Sequence, residues 1–381
     1  MIYLNCAATS AQKPPCVREA VLQALESPGS SSRGASEQDL NAARTVFDAR
    51  LAVADCLGAT HPERVVFCAN ATQALNTALF GLLAPGDHAI ATDYEHNSVL
   101  RPLNALAAQG VMTSYIPVDR LGRLELERLE SLFQPHTRLV VISHASNLTG
   151  VVLPVREVAQ AAHEHGAFVV LDAAQTAGVL PLNMVELGVD VLCFTGHKAL
   201  MGPQGTGGLI VAPEVSLCPL LYGGTGVQSA LPSQPDTYPE HLEAGTLNTP
   251  GIAGLGAAAR WLATTGVEEV ARHERALRSR FVAGVSACAG VTIYGEVPRC
   301  EHVATVALNI GGRDSAQVAD ELAQRFGIAV RAGLHCAPRA HAALGTTGQG
   351  AVRFSFGWFT TEAEVDCAVD AVCTLAHEAG A

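Results

Sequence analysis

Phe168-Val-Val-Leu-Asp-Ala-Ala-Gln175, followed by Val191-Leu-Cys-Phe-Thr-Gly-His-Lys198, decides the fold. Each segment is a short apolar run rich in β-branched residues that ends abruptly in polar side chains, the pattern of a buried strand running out at its carboxyl end. Their separation leaves room for one crossover connection. In open α/β sheets, ligands sit outside the carboxyl ends of the strands. Asp172 and Lys198 are therefore expected to face one site. Either alone would suit a helix cap or a surface pair; together, at βαβ spacing, they point to chemistry.

The pattern continues on both sides. Arg64–Cys68, His88–Thr92, Met112–Pro117, Arg138–His144, Ala167–Asp172 and Val189–Thr195 read as strands. Thr72–Leu83, Ser98–Gln109, Leu126–Phe133 and Val155–His165 read as helices between them, and Gly205–Ala212 as one further strand. Strands alternating with helices predict an α/β fold with a mainly parallel sheet. Residues 213–250 are rich in Pro and Gly without a sustained period and read as a long loop region. Helical patterns resume near Ile252 and Val267, the second with Val270, Leu277, Phe281 and Val285 near one face. Strands at Ala304–Asn309 and Ala351–Phe356 complete what reads as a smaller α+β unit.

Composition narrows the function. At 381 residues the chain is long for one domain, and 49% hydrophobic against 16% charged residues gives ample material for a core. The net charge of −12 and the absence of a Lys/Arg-rich run argue against nucleic acid, whose phosphates demand a basic stripe. Apolar runs such as Leu139–Ser143 are far too short to span a membrane, and the N-terminus lacks a signal-peptide pattern, so a soluble cytoplasmic protein is expected. Eleven scattered cysteines without a Cys-x-x-Cys read as small core residues rather than a disulfide framework. His163 and His165 flank Glu164 but do not share a helical face, so no metal site is expected.

Lysine and aspartate at adjacent strand ends suit pyridoxal 5'-phosphate (PLP). The amine forms a Schiff base with the aldehyde, and a carboxylate keeps the pyridine nitrogen protonated, which makes the ring an electron sink. Asn70, Ala71 and Thr72 fall between a strand and a helix start, where free N–H groups would hold a phosphate; Thr72 alone could be only an N-cap. His96, in Tyr94-Glu-His-Asn97, could lie flat on the ring or be merely structural.

These residues carry a resemblance. Tyr3-Leu-Asn-Cys-Ala-Ala, Ala69-Asn-Ala-Thr72, Glu95-His96, Ile142-Ser-His-Ala-Ser-Asn147, Asp172-Ala-Ala-Gln175, Thr195-Gly-His-Lys198, Glu243-Ala-Gly-Thr-Leu-Asn248 and Arg331-Ala-Gly-Leu-His-Cys336 together resemble the class V aminotransferase-like PLP enzymes. Within them, the closest likeness is to the group II cysteine desulfurases and selenocysteine lyases. The resemblance implies the type I fold of PLP-dependent transferases. Residues 15–260 would form a large domain with a mainly parallel seven-stranded sheet, and residues 1–14 and 261–381 a smaller domain carrying Cys336 and Arg353. It further implies that Lys198 carries PLP and moves the Cα proton, Asp172 pairs with the ring nitrogen, Gln175 bonds the ring oxygen and His96 stacks on the ring. Ala71, Thr72, Thr195 and His197 would hold the phosphate. Thr246 would reach the phosphate of a second subunit in a homodimer, and Arg33 is a candidate for crossing the dimer as well. Asn147, Arg353 and Arg331 would bind the substrate, Arg353 through the two parallel bonds a guanidinium gives a carboxylate.

Cys336 selects the reaction. A plain aminotransferase needs no thiol near the cofactor, whereas a desulfurase uses a thiolate to take sulfur from L-cysteine as a persulfide, releasing alanine. L-Selenocysteine is the alternative substrate, and another C–S lyase or aminotransferase reaction the alternative on the same scaffold. The chain departs from group II in having Leu334-His335 where His-His is frequent. The short run from Cys336 to Arg353 lacks a long mobile loop, so a docking protein acceptor is expected to collect the sulfur.

Overall fold

The computed structural model describes residues 1–27, 29–31 and 36–380, so Arg33 lies outside the described residues. The chain begins with β1 (Ile2–Tyr3), α1 (Pro15–Glu26) and α2 (Glu37–Cys56). It then alternates through β2 (Val65–Cys68), α3 (Ala71–Leu82), β3 (His88–Thr92), α4 (Asn97–Ala107), β4 (Met112–Ile116), β5 (Thr137–Ser143), α5 (Val155–Glu164), β6 (Phe168–Asp172), α6 (Met184–Leu187), β7 (Val191–Thr195) and β8 (Gly207–Val211). β2 to β8 form a seven-stranded sheet in the order β2-β8-β7-β6-β5-β3-β4. From β4 to β7 every pairing is parallel, while β8 runs antiparallel to both β7 and β2.

With both faces of the sheet covered, period-two alternation explains why the interiors of β3, β5, β6 and β7 are apolar. Val140, Ile142, Val169, Leu171, Leu192 and Phe194 point to one face, under α2, α5 and α7 (Thr249–Thr265). Leu139, Val141, Val170 and Val191 point to the other, under α3 and α4. Each fully buried Val or Leu contributes about 1.5–3 kcal/mol, so a polar residue inside these strands would be costly, and polar side chains collect at their ends. Gly207 in β8 has a steric reason: a Cβ there would lie 2.9 Å from the Cα of Asn70. Its absence lets the β2–α3 junction lie against the sheet.

The rest of the chain runs through α8 (Val267–Ser286), β9 (Val291–Tyr294), β10 (Thr305–Ile310), α9 (Ser315–Phe326), β11 (Ile328–Ala329), β12 (Arg331–Gly333), α10 (Pro338–Ala343), β13 (Ala351–Ser355) and α11 (Glu362–Gly380). An antiparallel sheet in the order β12-β13-β10-β9 has its own core, in which Leu4 joins Phe281, Leu308, Phe354 and Val372. β1 pairs parallel with β11, which ties the N-terminus to this unit.

Two expectations fail. Leu126–Phe133 forms not a helix but two 3-10 turns, Leu126–Arg128 and Glu130–Leu132. Leu129 is the one residue of that stretch that is buried, and Pro135 lies just beyond. Leu126, Leu132 and Phe133 pack against the same core, but a stretch of eight residues closed by a proline is too short to repay the nucleation of an α-helix. Second, Cys288 and Cys373 are joined by a disulfide, with Cα atoms 5.4 Å apart. They are 85 residues apart in sequence, and only the packing of α8 against α11 brings them together.

The irregular segment between β8 and α7 is anchored by a buried ion pair. Arg50 of α2 donates from Nη1 and Nη2 to Glu243 at 2.8 and 3.0 Å, and Glu243 also accepts from the Phe67 N–H at 2.7 Å. Arg50 lies over the Phe67 ring at 4.7 Å and also donates to the Val65 carbonyl. Removing one member of a buried pair leaves the other unpaired, at about 3–5 kcal/mol. Glu243→Ala is therefore expected to lower the urea midpoint by a stability loss of that size. Arg50→Met combined with Glu243→Leu is expected to recover most of it; equal losses in both variants would show that the pair is not the anchor.

Candidate active site

The parallel register brings four polar strand ends to one edge. β3, β5, β6 and β7 finish at Thr92, Ser143, Asp172 and Thr195, and Ser143 lies beside Asp172 in the β5–β6 ladder. The loops that follow carry His96, Asn147, Gln175 and Lys198 into one cleft of about 240 Å³. The N-terminal residues Ala7 and Ala8, the start of α3, and Arg331 and Arg353 close its other walls.

Asp172 is buried, and its carboxylate accepts from the Ala174 N–H at 2.9 Å. Burial raises its pKa; the bond from Ala174 and the nearby Lys198 oppose that. Burial likewise lowers Lys198 to about 8 despite the attraction of Asp172. Desolvation thus drives both members toward neutrality. The carboxylate is suited to a further cationic partner that would restore its charge. Lysine is scarce: Lys13 and Lys198 are the only two in the chain. Lys13 also belongs to this region, donating to the His197 carbonyl at 3.0 Å, and burial lowers it to about 8.

His96 caps α4. Its Nδ1 accepts from the Ser98 N–H at 3.0 Å, which leaves the ring proton on Nε2. Ser98 Oγ lies 2.9 Å from His96 Nδ1 and 2.7 Å from Thr72 Oγ1. Burial, aided by the charges of Lys198, Arg331 and Arg353, lowers His96 to about 4, so the ring is neutral. At the start of α3 the cap is Asn70 rather than Thr72: Asn70 Oδ1 accepts from the Gln73 N–H at 3.0 Å. Ala71 and Thr72 occupy the first turn, where N–H groups have no intrahelical acceptor, and both line the cleft. Thr195 Oγ1 is buried without a hydrogen-bond partner among the described residues. His197 meets Thr9 Oγ1 through Nδ1 at 3.0 Å, and Gln175 donates to the Ala7 carbonyl at 3.2 Å.

Arg353 on β13 is 1% exposed. It donates to the Asn147 carbonyl at 2.8 Å and to Asn5 Oδ1 at 3.1 Å, while its Nε has no partner. Arg331 stands opposite it in the β12–β13 register. Burial and this second guanidinium lower Arg353 to about 9. Two like charges paired across strands with no carboxylate between them destabilise the free protein and favour an incoming acid.

Cys336 follows β12 on a strained turn. His335 and Cys336 both have left-handed φ, +47° and +58°, a conformation that costs energy for residues with a Cβ. The surroundings enforce it. Asn147 Nδ2 donates to the His335 carbonyl at 2.6 Å, the Asn97 N–H to the Cys336 carbonyl at 2.8 Å, and the His335 ring meets the Ala351 carbonyl at 3.0 Å. Arg339 binds Asp93 at 2.8 Å and lies 3.6 Å over the Tyr115 ring. Arg331 Nη2 reaches Cys336 Sγ at 3.8 Å, which puts a positive charge against the sulfur. Cys336 lines an adjoining cleft between α3 and α4 that shares Thr72, His96 and Ser98 with the first. Leu334 is 41% exposed beside it.

Of the candidate site residues among those described, all but Cys336 and Thr246 line the main cleft. Thr246 is exposed and lines neither cleft in its own chain. Sequence reasoning missed Asn5, Ser98 and Glu95 as site-builders. Glu95 is wholly buried; it accepts from Thr92 Oγ1 at 2.6 Å and from the Ser143 N–H and Oγ at 3.0 and 2.8 Å, tying β3 to β5. Burial pushes it up to about 7. Both Asn5 and Glu95 stood in recognisable motifs, but nothing in the linear sequence tells which partner each meets. Among the described residues no cluster of three His, Cys, Asp or Glu side chains is arranged to hold a metal ion.

This arrangement has relatives. The family model described as Aminotransferase class-V matches residues 2–367. A probable cysteine desulfurase of Methanothermobacter thermautotrophicus is 34% identical over 374 residues, covering 96% of this chain and 92% of the relative. The solved apo structure of a cysteine desulfurase from Thermococcus onnurineus superposes with a TM-score of 0.92 at 34% identity, covering 99% of this chain and 95% of that one. The Escherichia coli cysteine desulfurase CsdA gives 0.88 at 30% identity, covering 99% and 94%.

The His96 environment has a direct readout. Because its usual pKa near 6.5 is lowered to about 4, its imidazole resonances are expected to stay flat from pH 5 to 9 in an NMR titration. A midpoint near 6.5 would contradict the buried, cation-flanked ring.

Proposed function

The chain belongs to the class V aminotransferase family, and from that premise we propose that it is a PLP-dependent cysteine desulfurase, converting L-cysteine to L-alanine with transfer of sulfur to Cys336. The observation that carries the reading is Cys336 itself. It is a thiol pinned in a strained turn with Arg331 3.8 Å from its sulfur, at the margin of a cleft that holds Lys198 and Asp172. Transamination gives no reason to maintain such a thiol.

The residues present fit PLP. Asp172 is a desolvated carboxylate suited to a protonated ring nitrogen, and the unpartnered Thr195 Oγ1 and the α3 start suit a phosphate. Lys198 would hold the aldehyde carbon, His96 would lie on the ring, and Gln175 would bond the ring oxygen. Ala71, Thr72, Thr195 and His197 would bind the phosphate, together with Thr246 from a second copy in a homodimer. Bound there, PLP supplies an aldehyde that condenses with amines and a ring that takes up an electron pair from Cα. We assign residues 15–260 to the cofactor-binding domain, and residues 1–14 and 261–381 to the smaller domain that brings Cys336 and Arg353. The working location we propose is the cytoplasm. No helix among the described residues is long and apolar enough to cross a membrane.

The side chains divide the work. Arg353, with Arg331 beside it and Asn147 below, holds the substrate carboxylate and so fixes which bond at Cα faces Lys198. The Lys198 amine, at about 8, lies close enough to neutrality both to accept the Cα proton and to return one. Cys336 Sγ attacks the substrate sulfur: an S–S bond forms, the C–S bond breaks, and the three-carbon fragment takes up protons to leave as alanine. The persulfide then stays on a turn that cannot travel, so the acceptor must come to it.

A single turnover with L-cysteine tests this. One equivalent of alanine and a persulfide on Cys336 are expected, with the persulfide lost in Cys336→Ser; alanine and sulfide undiminished in that variant would sink the desulfurase reading. Cofactor capture provides a second check. With Lys198 at about 8, the rate at which apo-protein takes up PLP is expected to climb from pH 7 to 9 and then level. Borohydride should trap the cofactor on Lys198 and not on Lys13; a rate still rising above pH 10 would indicate an ordinary lysine.

A further inference from the structure

The cleft between α3 and α4 that Cys336 lines adjoins the substrate cleft, with which it shares Thr72, His96 and Ser98, and has its own chemistry. It holds about 390 Å³ and is open to solvent, a size that suits a small molecule. Phe80, Pro102 and Ala105 give it an apolar wall, and Asn76, whose Nδ2 is bonded to the Thr72 carbonyl, gives it a polar one. The α4 side presents Arg101. This guanidinium is exposed, and among the described residues it has neither a hydrogen bond nor an ion pair. No Asp or Glu lines the cleft, although the chain carries a net charge of −12. An unpaired cation, an apolar wall and a reactive sulfur therefore share one cavity.

We propose that this cleft binds a low-molecular-weight thiol bearing a carboxylate, its acid on Arg101 and its sulfur at Cys336, and that this thiol carries away the sulfur. The inference rests on the desulfurase reading and names the acceptor class for it. The chemistry balances without an external oxidant or reductant. The acceptor thiolate attacks the outer sulfur of the Cys336 persulfide, a new S–S bond forms on the acceptor, and the bond to Cys336 Sγ breaks. The electron pair leaves on Sγ, and the proton lost by the acceptor thiol returns there through solvent. Two features favour a small acid. Arg101 lines the same cavity as Cys336, and Arg331 stands 3.8 Å from its sulfur; and the turn is held by Asn147 and Asn97, so the sulfur does not move out to a distant partner.

Two measurements test the proposal, and the first needs neither cofactor chemistry nor persulfide. On the holoenzyme, alkylation of Cys336 is followed by peptide mass spectrometry with iodoacetate and with iodoacetamide. A cleft that gathers acids is expected to raise the iodoacetate-to-iodoacetamide rate ratio about tenfold over that of a free thiol. Arg101→Gln should cancel most of that rise, while Arg120→Gln, an exposed arginine elsewhere, leaves it unchanged. A ratio like that of a free thiol, or one that survives Arg101→Gln, overturns the acid site whatever the enzyme does to cysteine. In the second, enzyme loaded with one equivalent of L-cysteine is freed of substrate and exposed to 3-mercaptopropionate or 2-mercaptoethanol at equal thiolate concentration. Saturable discharge, about tenfold faster with the acid and equalised by Arg101→Gln with the alanine burst intact, is expected. Persulfide that forms but discharges without charge preference overturns this inference alone. Failure to form any persulfide overturns the desulfurase reading, and the transfer step with it.

Discussion

The whole site hangs on the register of the parallel strands. β3, β5, β6 and β7 run the same way and are buried on both faces, so their polar termini can emerge only at the edge where the strands stop. Parallel strands joined by right-handed crossovers put all those termini on one side of the sheet. Glu95 makes the register exact where it matters, because its carboxylate takes hydrogen bonds from the ends of both β3 and β5. A shift of one residue in β6 would turn Asp172 to the other face of the sheet.

On that edge the electrostatics are deliberately one-sided. Lys198, Arg331 and Arg353 crowd a cleft whose lining carries one carboxylate, Asp172. Burial penalises every one of the shifted groups in its charged form: Asp172 is raised, Lys198 comes down to about 8, Arg353 to about 9, and His96 and His197 to about 4. A protein gains nothing in stability from this arrangement. The same charges are repaid when an anionic ligand arrives, which makes the free site a destabilised receptor for acids and phosphate. The strained turn at His335 and Cys336 belongs to the same economy: left-handed residues and a pinned carbonyl hold a sulfur that a relaxed loop would let wander.

How far the sequence revealed this varies with the kind of feature. The inner strands are legible in the sequence because burial on both faces forces apolar runs there, whereas the edge strand β4 carries Thr113 and Ser114 and is only part-buried. Leu126–Phe133 is not a helix although Leu126, Leu132 and Phe133 pack against the core: the stretch is short and Pro135 closes it, so its apolar residues are anchored by two 3-10 turns instead. The Cys288–Cys373 bond was invisible: 85 intervening residues carry no sign that α8 and α11 will pack side by side. Thr72 was read as a possible cap, yet the position before the helix, Asn70, takes that role, which leaves the first turn turned toward the cleft.

The sequence by itself determined the fold class, the strand-end positions of Asp172 and Lys198, and the presence of a thiol at position 336, because each follows from local pattern and motif order. Tertiary structure alone decided which groups share a cavity. It set Arg331 opposite Arg353, spent the Asn147 amide on the Cys336 turn, and opened the thiol onto a second cleft beside Arg101. The physical reason is that hydrophobic periodicity is a property of neighbours along the chain, whereas the field around a charged or reactive atom is summed over neighbours in space.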